Sequence, residues 1–191
     1  MDNHTLRDYI KQVSNRITEH DLALLVAWAV ARELKKGEAL LKEGEICRSF
    51  YLVQKGYLRT WYNKEGVEIN LNFTLEAGFT TNLKSLKSRQ PSELVIVAGE
   101  DTSVWIFDLD RFSGRLNQHH AINTFVRRMA IQILLAAEEH SSLFKMYTPT
   151  ERYRYIEKYN PQLLQRISLS QIASYLGVTR ETLSRIRAKK V

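Results

Sequence analysis

Apolar and polar side chains alternate with a period of two in the first half of the chain. The clearest run is 67–74, whose odd-numbered positions are apolar and whose even-numbered positions are polar. Such alternation is typical of a half-buried β-strand. Further short strand-like segments lie at 50–53, 57–62, 94–98 and 104–109, and six of the eight glycines fall in the range 37–99. Short strands separated by glycine turns predict an antiparallel β-roll or barrel.

A longer period replaces this alternation after residue 120. From Ala121 to Lys145 the chain holds no glycine or proline, and apolar or interfacial residues recur at spacings of four and three. These seam positions are Ile122, Val126, Met129, Ile133, Ala136, His140 and Leu143. The spacing is typical of a coiled-coil seam, so we expect a long helix that forms a parallel homodimer. An intramolecular helix face has the same period, and the pattern alone leaves both possibilities open.

Two further helical features accompany this long helix. A flanking row through Phe125, Leu135 and Phe144 is expected to pack on the protein's own roll. Two amphipathic stretches at 6–13 and 21–30 precede the strands, and we expect them to pack against the roll as well.

Residues 168–187 predict two short helices joined by a glycine turn. Ser168 and Gln171 have the spacing of a capping box at the start of the first helix. Gly177 can adopt the left-handed conformation that ends it, and Thr179 can cap the second helix. Apolar residues on both helices would share one core, as in a helix-turn-helix.

Polar and basic side chains are concentrated on the outer face of this helix pair. The candidate DNA-contacting residues are Ser170, Thr179, Arg180, Glu181, Thr182, Ser184, Arg185, Lys189 and Lys190. The two arginines at 180 and 185 suit bidentate bonds to guanine, and a glutamate can accept from cytosine. The two terminal lysines suit phosphates. A solvated helix pair packed on the protein's own body is the alternative interpretation.

The distribution of charge agrees with a DNA-binding role. The 191 residues carry a formal net charge of +7. Residues 150–191 hold nine basic and three acidic side chains, so +6 of the +7 lies there. This asymmetry indicates a segment that binds an anionic partner.

Composition excludes several other protein classes. With 44% apolar and 26% charged residues, the chain has the composition of a folded globular protein. Its longest apolar run, 22–31, has ten residues and is too short to span a bilayer. The first residues lack the apolar core of a signal peptide. Cys47 is the only cysteine, which rules out an internal disulfide and a four-cysteine metal site. We therefore expect a cytoplasmic protein with no membrane partner and no metal.

The order of these parts resembles the Crp/Fnr family of bacterial transcription regulators. The resemblance covers roughly residues 32–190, and its motifs are Gly37, Gly44, the run from Phe50 to Gly56, the run from Ala98 to Asp101 and the run from Arg180 to Arg185. It implies an α+β fold: an antiparallel β-roll of the double-stranded β-helix or jelly-roll type with flanking helices, a long dimerisation helix and a C-terminal helix-turn-helix. The implied domains are a cyclic-nucleotide-binding-like effector domain at 1–118, the dimerisation helix at 119–147 and the DNA-binding domain at 148–191.

The same resemblance implies sequence-specific binding of double-stranded DNA by a homodimer on a near-palindromic site. Arg180, Glu181 and Arg185 would take the family's base-reading roles. RNA polymerase becomes a candidate further partner.

The resemblance fails at the expected effector pocket. The pocket candidates are Phe79, Thr81, Asn82, Leu83, Ser92 and Glu93. Members that respond to cyclic AMP hold its ribose and phosphate with a glycine-glutamate pair and an arginine-serine pair. Here Asn82 replaces the glutamate, and Ser92 and Glu93 replace arginine-serine. A partly buried phosphate needs a charge-assisted partner, and Glu93 would repel it. We therefore predict no cofactor and no response to cyclic AMP, with the identity of any small-molecule effector left open.

Two other function classes stay open from the sequence. One is a ligand-sensing module whose helix-turn-helix contacts another protein rather than DNA. The other is an enzyme with its site in the roll. We expect no enzyme, because no nucleophile–base pair, paired acids or phosphate loop stands out.

Overall fold

The computed structural model describes residues 3–13, 17–112 and 119–188. The helices are α1 Asn3–Val13, α2 Glu19–Trp28, α3 Leu83–Ser88, α4 Leu109–Phe112, α5 His120–Met146, α6 Pro149–Tyr159, α7 Pro161–Arg166, α8 Leu169–Tyr175 and α9 Arg180–Ala188. The strands are β1 Val30–Leu34, β2 Ala39–Leu41, β3 Ser49–Lys55, β4 Leu58–Lys64, β5 Val67–Thr74, β6 Phe79–Thr80, β7 Val95–Ala98 and β8 Thr102–Asp108. Within these ranges, no helix has both the length and the apolar character needed to cross a membrane.

The strands form two antiparallel four-stranded sheets that face each other as a roll. Their orders are β1-β8-β3-β6 and β2-β7-β4-β5. Strands β4 and β5 form a hairpin whose turn places Glu65 and Gly66 at φ values of +53° and +87°. The amide of Gly66 donates to Asn63 Oδ1 at 2.8 Å, which closes the turn. The predicted α+β class with an antiparallel roll is confirmed.

Aromatic side chains fill the interior of the roll. Phe50 and Phe107 are almost completely buried, and Phe125 of α5 enters the same cluster. The rings of Phe107 and Phe125 have centroids 5.9 Å apart. Burying each phenylalanine contributes roughly 1.5–3 kcal/mol, so the N-terminal half of α5 is anchored to the roll.

Strand β5 matches its predicted position but not its predicted burial. Val67 is 60% exposed, whereas Asn70 is only 4% exposed. The reason is that β5 is an edge strand. Its first residues extend into solvent at the hairpin tip, and α8 covers Asn70 further along.

The four helices after α5, residues 149–188, form a second unit that we call the head. Its apolar core is built from α6, α7, α8 and α9, and Tyr57 and Phe73 of the roll belong to the same cluster. The ring centroids of Phe73 and Tyr175 are 5.3 Å apart. The head and the roll are therefore joined by a shared hydrophobic core.

Candidate nucleic-acid interface and effector pocket

The helix-turn-helix consists of α8 and α9, joined by a turn at Gly177. Gly177 has a φ of +67°, in the left-handed region that favours glycine. A Cβ atom there would lie 2.7 Å from the ring of Phe144, so a larger side chain would also clash. Ala173, Leu176 and Leu183 are buried in the core that the two helices share. The predicted helix-turn-helix is confirmed.

Hydroxyl side chains cap both helices where the sequence predicted. The amide of Gln171 donates to Ser168 Oγ at 3.3 Å, and the amide of Thr182 donates to Thr179 Oγ1 at 3.2 Å. Such an N-cap contributes about 1 kcal/mol. The caps fix where each helix begins, and therefore which residues of α9 face outward.

The outer stripe of α9 is exposed to solvent. Its members Arg180, Glu181, Ser184 and Arg185 are all exposed. Across the described residues, none of these side chains forms an ion pair; Arg185 Nε donates only to the backbone oxygen of Glu181, at 3.4 Å. Two guanidinium groups and a carboxylate are thus available to base edges, in the combination that suits guanine and cytosine.

The other predicted contact residues flank this stripe. Ser170 is exposed in the first turn of α8, Thr179 is exposed before α9, and Thr182 is half-buried. The hydroxyls of Thr179 and Thr182 lie 3.0 Å apart. Lys189 and Lys190 lie outside the described residues.

Several other arginines of the head are occupied inside the chain. Arg152 donates to the backbone oxygen of Leu176 at 2.6 Å, and its guanidinium lies 4.4 Å from the ring centre of Phe144. It thereby satisfies a carbonyl at the C-terminus of α8, where a positive charge is favoured. Arg154 pairs with Glu157 at 2.7 Å. The positive charge of residues 150–191 is therefore only partly available to an external anionic partner.

An arginine also ties the head to the roll. Arg166 donates two hydrogen bonds to the carboxylate of Glu76, at 2.7 and 2.9 Å, and a third to Glu100. The two acids lower the free energy of the charged guanidinium and so raise the pKa of Arg166. In return, the guanidinium lowers the pKa of Glu76.

Helix α8 also bonds to the exposed edge of β5. Ser174 Oγ accepts from the amide of Asn70 at 3.0 Å and donates to the backbone oxygen of Glu68 at 3.2 Å. One hydroxyl thereby pairs both a donor and an acceptor of a strand edge, which would otherwise be open. Sequence reasoning missed Ser174 and Arg166, because their partners lie 66–106 residues away along the chain and no local pattern marks them.

Six of the seven predicted dimer-seam residues of α5 contact other parts of the same chain, and the seventh, Ala136, is exposed. The seven are Ile122, Val126, Met129, Ile133, Ala136, His140 and Leu143. Ile122 and Met129 are buried in the core of the roll, and Val126 and Ile133 pack against that core. The roll offers an apolar surface to these four side chains, His140 stacks on Tyr175 of the head, and Leu143 is buried.

A different row of α5 is open to solvent. Ile131, Leu134 and Leu135 are 51%, 57% and 58% exposed. Of the predicted flanking row, Phe125 packs on the roll as expected, whereas Leu135 belongs to this exposed row. Phe144 lies at the head instead, against Arg152.

The predicted effector pocket is filled by its own side chains. Asn82 and Ser92 are 3% and 2% exposed, and Asn82 Nδ2 donates to Ser92 Oγ at 2.8 Å. Asn82 Oδ1 also accepts from the amide of Ser85 and so caps α3. Thr81 donates to the backbone oxygen of Ser49 at 2.7 Å. These polar groups satisfy one another instead of facing a ligand.

The remaining pocket candidates are equally engaged. Phe79 packs edge-on against Tyr9 and Phe107, at centroid distances of 5.5 and 6.3 Å, and Leu83 packs on the same core. Glu93 is exposed and pairs with Lys84 at 2.8 Å. None of the six candidates presents a positive charge for a buried phosphate.

The first comparison concerns the roll. Residues 31–119 match the family model of the cyclic nucleotide-binding domain. No curated protein matches the sequence.

Solved structures with the same fold extend over the head as well. FixK2 from Bradyrhizobium japonicum is 24% identical, with a TM-score of 0.69, covering 84% of this chain and 83% of that one. A protein assigned to the Crp/Fnr family of transcriptional regulators from Eubacterium rectale is 20% identical, with a TM-score of 0.69 and coverages of 90% and 82%. The c-di-GMP-responsive global regulator CLP of Xanthomonas campestris is 16% identical, with a TM-score of 0.66 and coverages of 85% and 86%.

Proposed function

We propose that the chain is a sequence-specific DNA-binding transcription regulator. Two findings support this: residues 31–119 match the family model of the cyclic nucleotide-binding domain, and the chain has the fold of solved Crp/Fnr regulators. The observation that carries the proposal is the outer stripe of α9. Arg180, Glu181 and Arg185 are exposed there and form no ion pairs among the described residues. The Thr179 cap fixes where α9 begins and therefore which of its side chains face outward.

In this proposal, α9 is the recognition helix and lies in the major groove. Arg180 and Arg185 bond bidentately to guanine O6 and N7, and Glu181 accepts from cytosine N4. Ser184 makes a further hydroxyl contact. Hydroxyls at Ser170, Thr179 and Thr182, together with Lys189 and Lys190, bond to phosphates and position the head without specifying sequence.

The active species is a homodimer formed through the exposed row of α5. Ile131, Leu134 and Leu135 give each copy an apolar stripe, and an antiparallel or parallel pair of such helices would remove it from water. In a symmetric dimer the two recognition helices contact half-sites about one DNA turn apart, roughly 34–36 Å. The target site is therefore near-palindromic.

The roll serves this regulator as an effector domain without cyclic AMP. A buried phosphate requires a charge-assisted donor, and the position that would supply one holds Ser92, already bonded to Asn82. The division into an effector domain at 1–118, a dimerisation helix at 119–147 and a DNA-binding domain at 148–191 belongs to the same proposal. We also propose that the protein is cytoplasmic, that it contacts RNA polymerase and that it has no catalytic role.

Salt-dependent DNA binding tests the proposal. Because Lys and Arg displace counterions from phosphates, the affinity of the full chain for duplex DNA should fall at least roughly 100-fold between about 50 and about 200 mM salt. The matched control is Arg180→Glu with Arg185→Glu, which should lose binding at every salt concentration. A chain that binds no DNA at low salt, as expected of a module that acts only through protein contacts, would overturn the proposal.

A further inference from the structure

A cleft of about 420 Å³ lies where the roll, α5 and the head meet. The turn between β5 and β6 forms one side, α5 contributes Glu139 and His140, and the head contributes Tyr155 and Tyr175. Its volume is in the range of small-molecule sites. Of the six residues predicted to line the cyclic-nucleotide pocket, Phe79 lines this cleft, whereas Asn82 and Ser92 do not.

Aromatic rings form much of the wall of this cleft. Tyr9, Phe73 and Phe79 lie on the roll side, and Tyr155 and Tyr175 lie on the head side. Several are held in place by other contacts: Tyr9 donates to the backbone oxygen of Ala77, and Phe73 meets Tyr175 edge-on. Fixed aromatic faces attract cations through their electron-rich surfaces.

The charge of the cleft is negative, although the chain as a whole carries +7. No lysine or arginine is among the described residues that line it, whereas Glu76 and Glu139 both do. Glu76 is already bonded to Arg166 and to the amide of Gly56. Glu139 is the carboxylate left without an ion pair among the described residues, and it accepts from the hydroxyl of Tyr155.

The pKa shifts of three neighbouring side chains are consistent with a negatively charged cleft. Burial lowers the pKa of His140, which therefore favours its neutral form. Burial, together with the negative charge of Glu139, raises the pKa of Tyr175. The hydrogen bond to Glu139 raises the pKa of Tyr155 to about 12. His140, Tyr155 and Tyr175 therefore favour their uncharged forms beside Glu139.

We propose that this cleft binds an organic cation, a protonated or quaternary amine carried on an aromatic or apolar body. The body would lie among the rings of Phe73, Tyr155 and Tyr175, and the ammonium group would bond to or lie beside Glu139. An anionic effector such as a nucleotide is repelled by the same carboxylate. Because the occupant touches the roll, α5 and the head together, it stabilises the docked arrangement of the head over any arrangement that separates these walls.

Titration of the full chain with benzyltrimethylammonium chloride, followed by calorimetry, tests the proposal. Saturable binding is expected, whereas 3-phenylpropanoate, an anion with a similar ring, should not bind. Glu139→Gln should weaken binding of the cation about tenfold, because it removes a charged partner. Glu138→Gln is the matched control, since Glu138 is adjacent on α5 and does not line the cleft; it should bind as the wild type does.

Three results would each overturn the inference. The first is that benzyltrimethylammonium shows no saturable binding, and the second is that 3-phenylpropanoate binds as tightly as the cation. The third is that Glu139→Gln and Glu138→Gln weaken binding of the cation equally. Thermal unfolding of both variants shows whether each is folded before its binding is compared. The measurement involves no DNA, so its outcome is independent of whether the chain binds DNA.

Discussion

At the scale of single residues, the contacts of each arginine decide its role. Arg152 and Arg166 are fixed by partners inside the chain, at Leu176 and at Glu76. Arg180 and Arg185 lie on the outer stripe of α9 and have no acidic partner among the described residues. Substitution of the second pair should therefore affect binding to a partner much more than it affects folding.

The first prediction concerns these two stripe arginines. Arg180→Ala and Arg185→Ala should each cost about 1–3 kcal/mol of DNA binding and relax discrimination at one base position, because each removes one bidentate base contact. Fluorescence anisotropy with a preferred duplex and with single-base variants measures both effects. Lys42→Ala, an exposed base on the roll, is the control. Equal losses on preferred and unrelated DNA would contradict the base-reading assignment.

His140 connects α5 to the head at the same scale. Its ring stacks on Tyr175 with centroids 4.2 Å apart, and its Nε2 lies 3.1 Å from the backbone oxygen of Tyr175. Burial lowers the pKa of His140, and the positive charge of Arg152 acts in the same direction. The folded state therefore favours the neutral imidazole.

The second prediction follows from the sign of that shift. In the unfolded chain the histidine pKa is about 6.5, so below this value the unfolded state binds more protons than the folded state. The contribution of His140 to the free energy of unfolding is thus fully present above pH 6.5 and is lost as the pH falls towards the lower folded pKa. Urea unfolding at several pH values should show a smaller loss for His140→Gln than for the wild type.

The control for this measurement is His120→Gln, at an exposed position in the first turn of α5. It should lose stability with falling pH as the wild type does. If the His140 variant also follows the wild-type curve, His140 does not have the assigned role.

At the scale of elements, α5 has three different faces. Its N-terminal half packs into the roll, its C-terminal half lines the cleft through Glu139 and His140, and a third row exposes Ile131, Leu134 and Leu135. Among the described residues of α5, this third row is an exposed apolar surface, and Phe144 and Met146 are exposed nearer its C-terminal end.

The third prediction is that this row holds the dimer together. Leu134→Glu should weaken dimerisation by roughly 100-fold or more, because it removes an apolar side chain from both copies and buries a charge. Sedimentation velocity over a range of concentrations measures the effect. Val67→Glu places the same charge at an exposed apolar position of the hairpin and should leave the dimer unchanged. A wild-type chain that is monomeric, or a Leu134→Glu variant that dimerises normally, would contradict the prediction.

The period of the sequence predicts helix α5 but not which of its faces is free. Helical spacing identifies both the buried row through Ile122 and Met129 and the exposed row through Leu134 and Leu135. The choice between them depends on the roll, which covers one row and not the other. Short elements were missed for a related reason: β1 is defined by pairing with β8, about 70 residues away, and β6 has only two residues.

At the scale of the whole molecule, the net charge counted from the sequence includes two kinds of basic side chain. Some bond to groups of the same chain, and others are exposed to a partner. The +6 of residues 150–191 lies in the segment that we propose to meet DNA. Arg152, Arg154 and Arg166 nevertheless contact groups of the same chain. The helix-turn-helix could be predicted because its caps and glycine are local signals, whereas the joint between head and roll could not, because it depends on pairs far apart in sequence.

The altered pocket could also be predicted only in part. From the motifs we predict that Asn82, Ser92 and Glu93 do not suit a cyclic phosphate. The structure adds the reason why that space is closed, since Asn82 and Ser92 bond to each other and Glu93 turns outward to Lys84. The interdomain cleft could not be foreseen, because its walls come from the roll, α5 and the head.

Selection of sites from random-sequence duplex DNA by the 191-residue chain tests the central claim most directly. A dimer with two recognition helices should enrich an inverted repeat whose half-sites are centred roughly 10 base pairs apart. The same selection with Arg180→Ala and Arg185→Ala should lose the preference at one base position of each half-site per substitution. A pool that stays random after repeated selection, or one that enriches a single half-site without symmetry, would contradict the account.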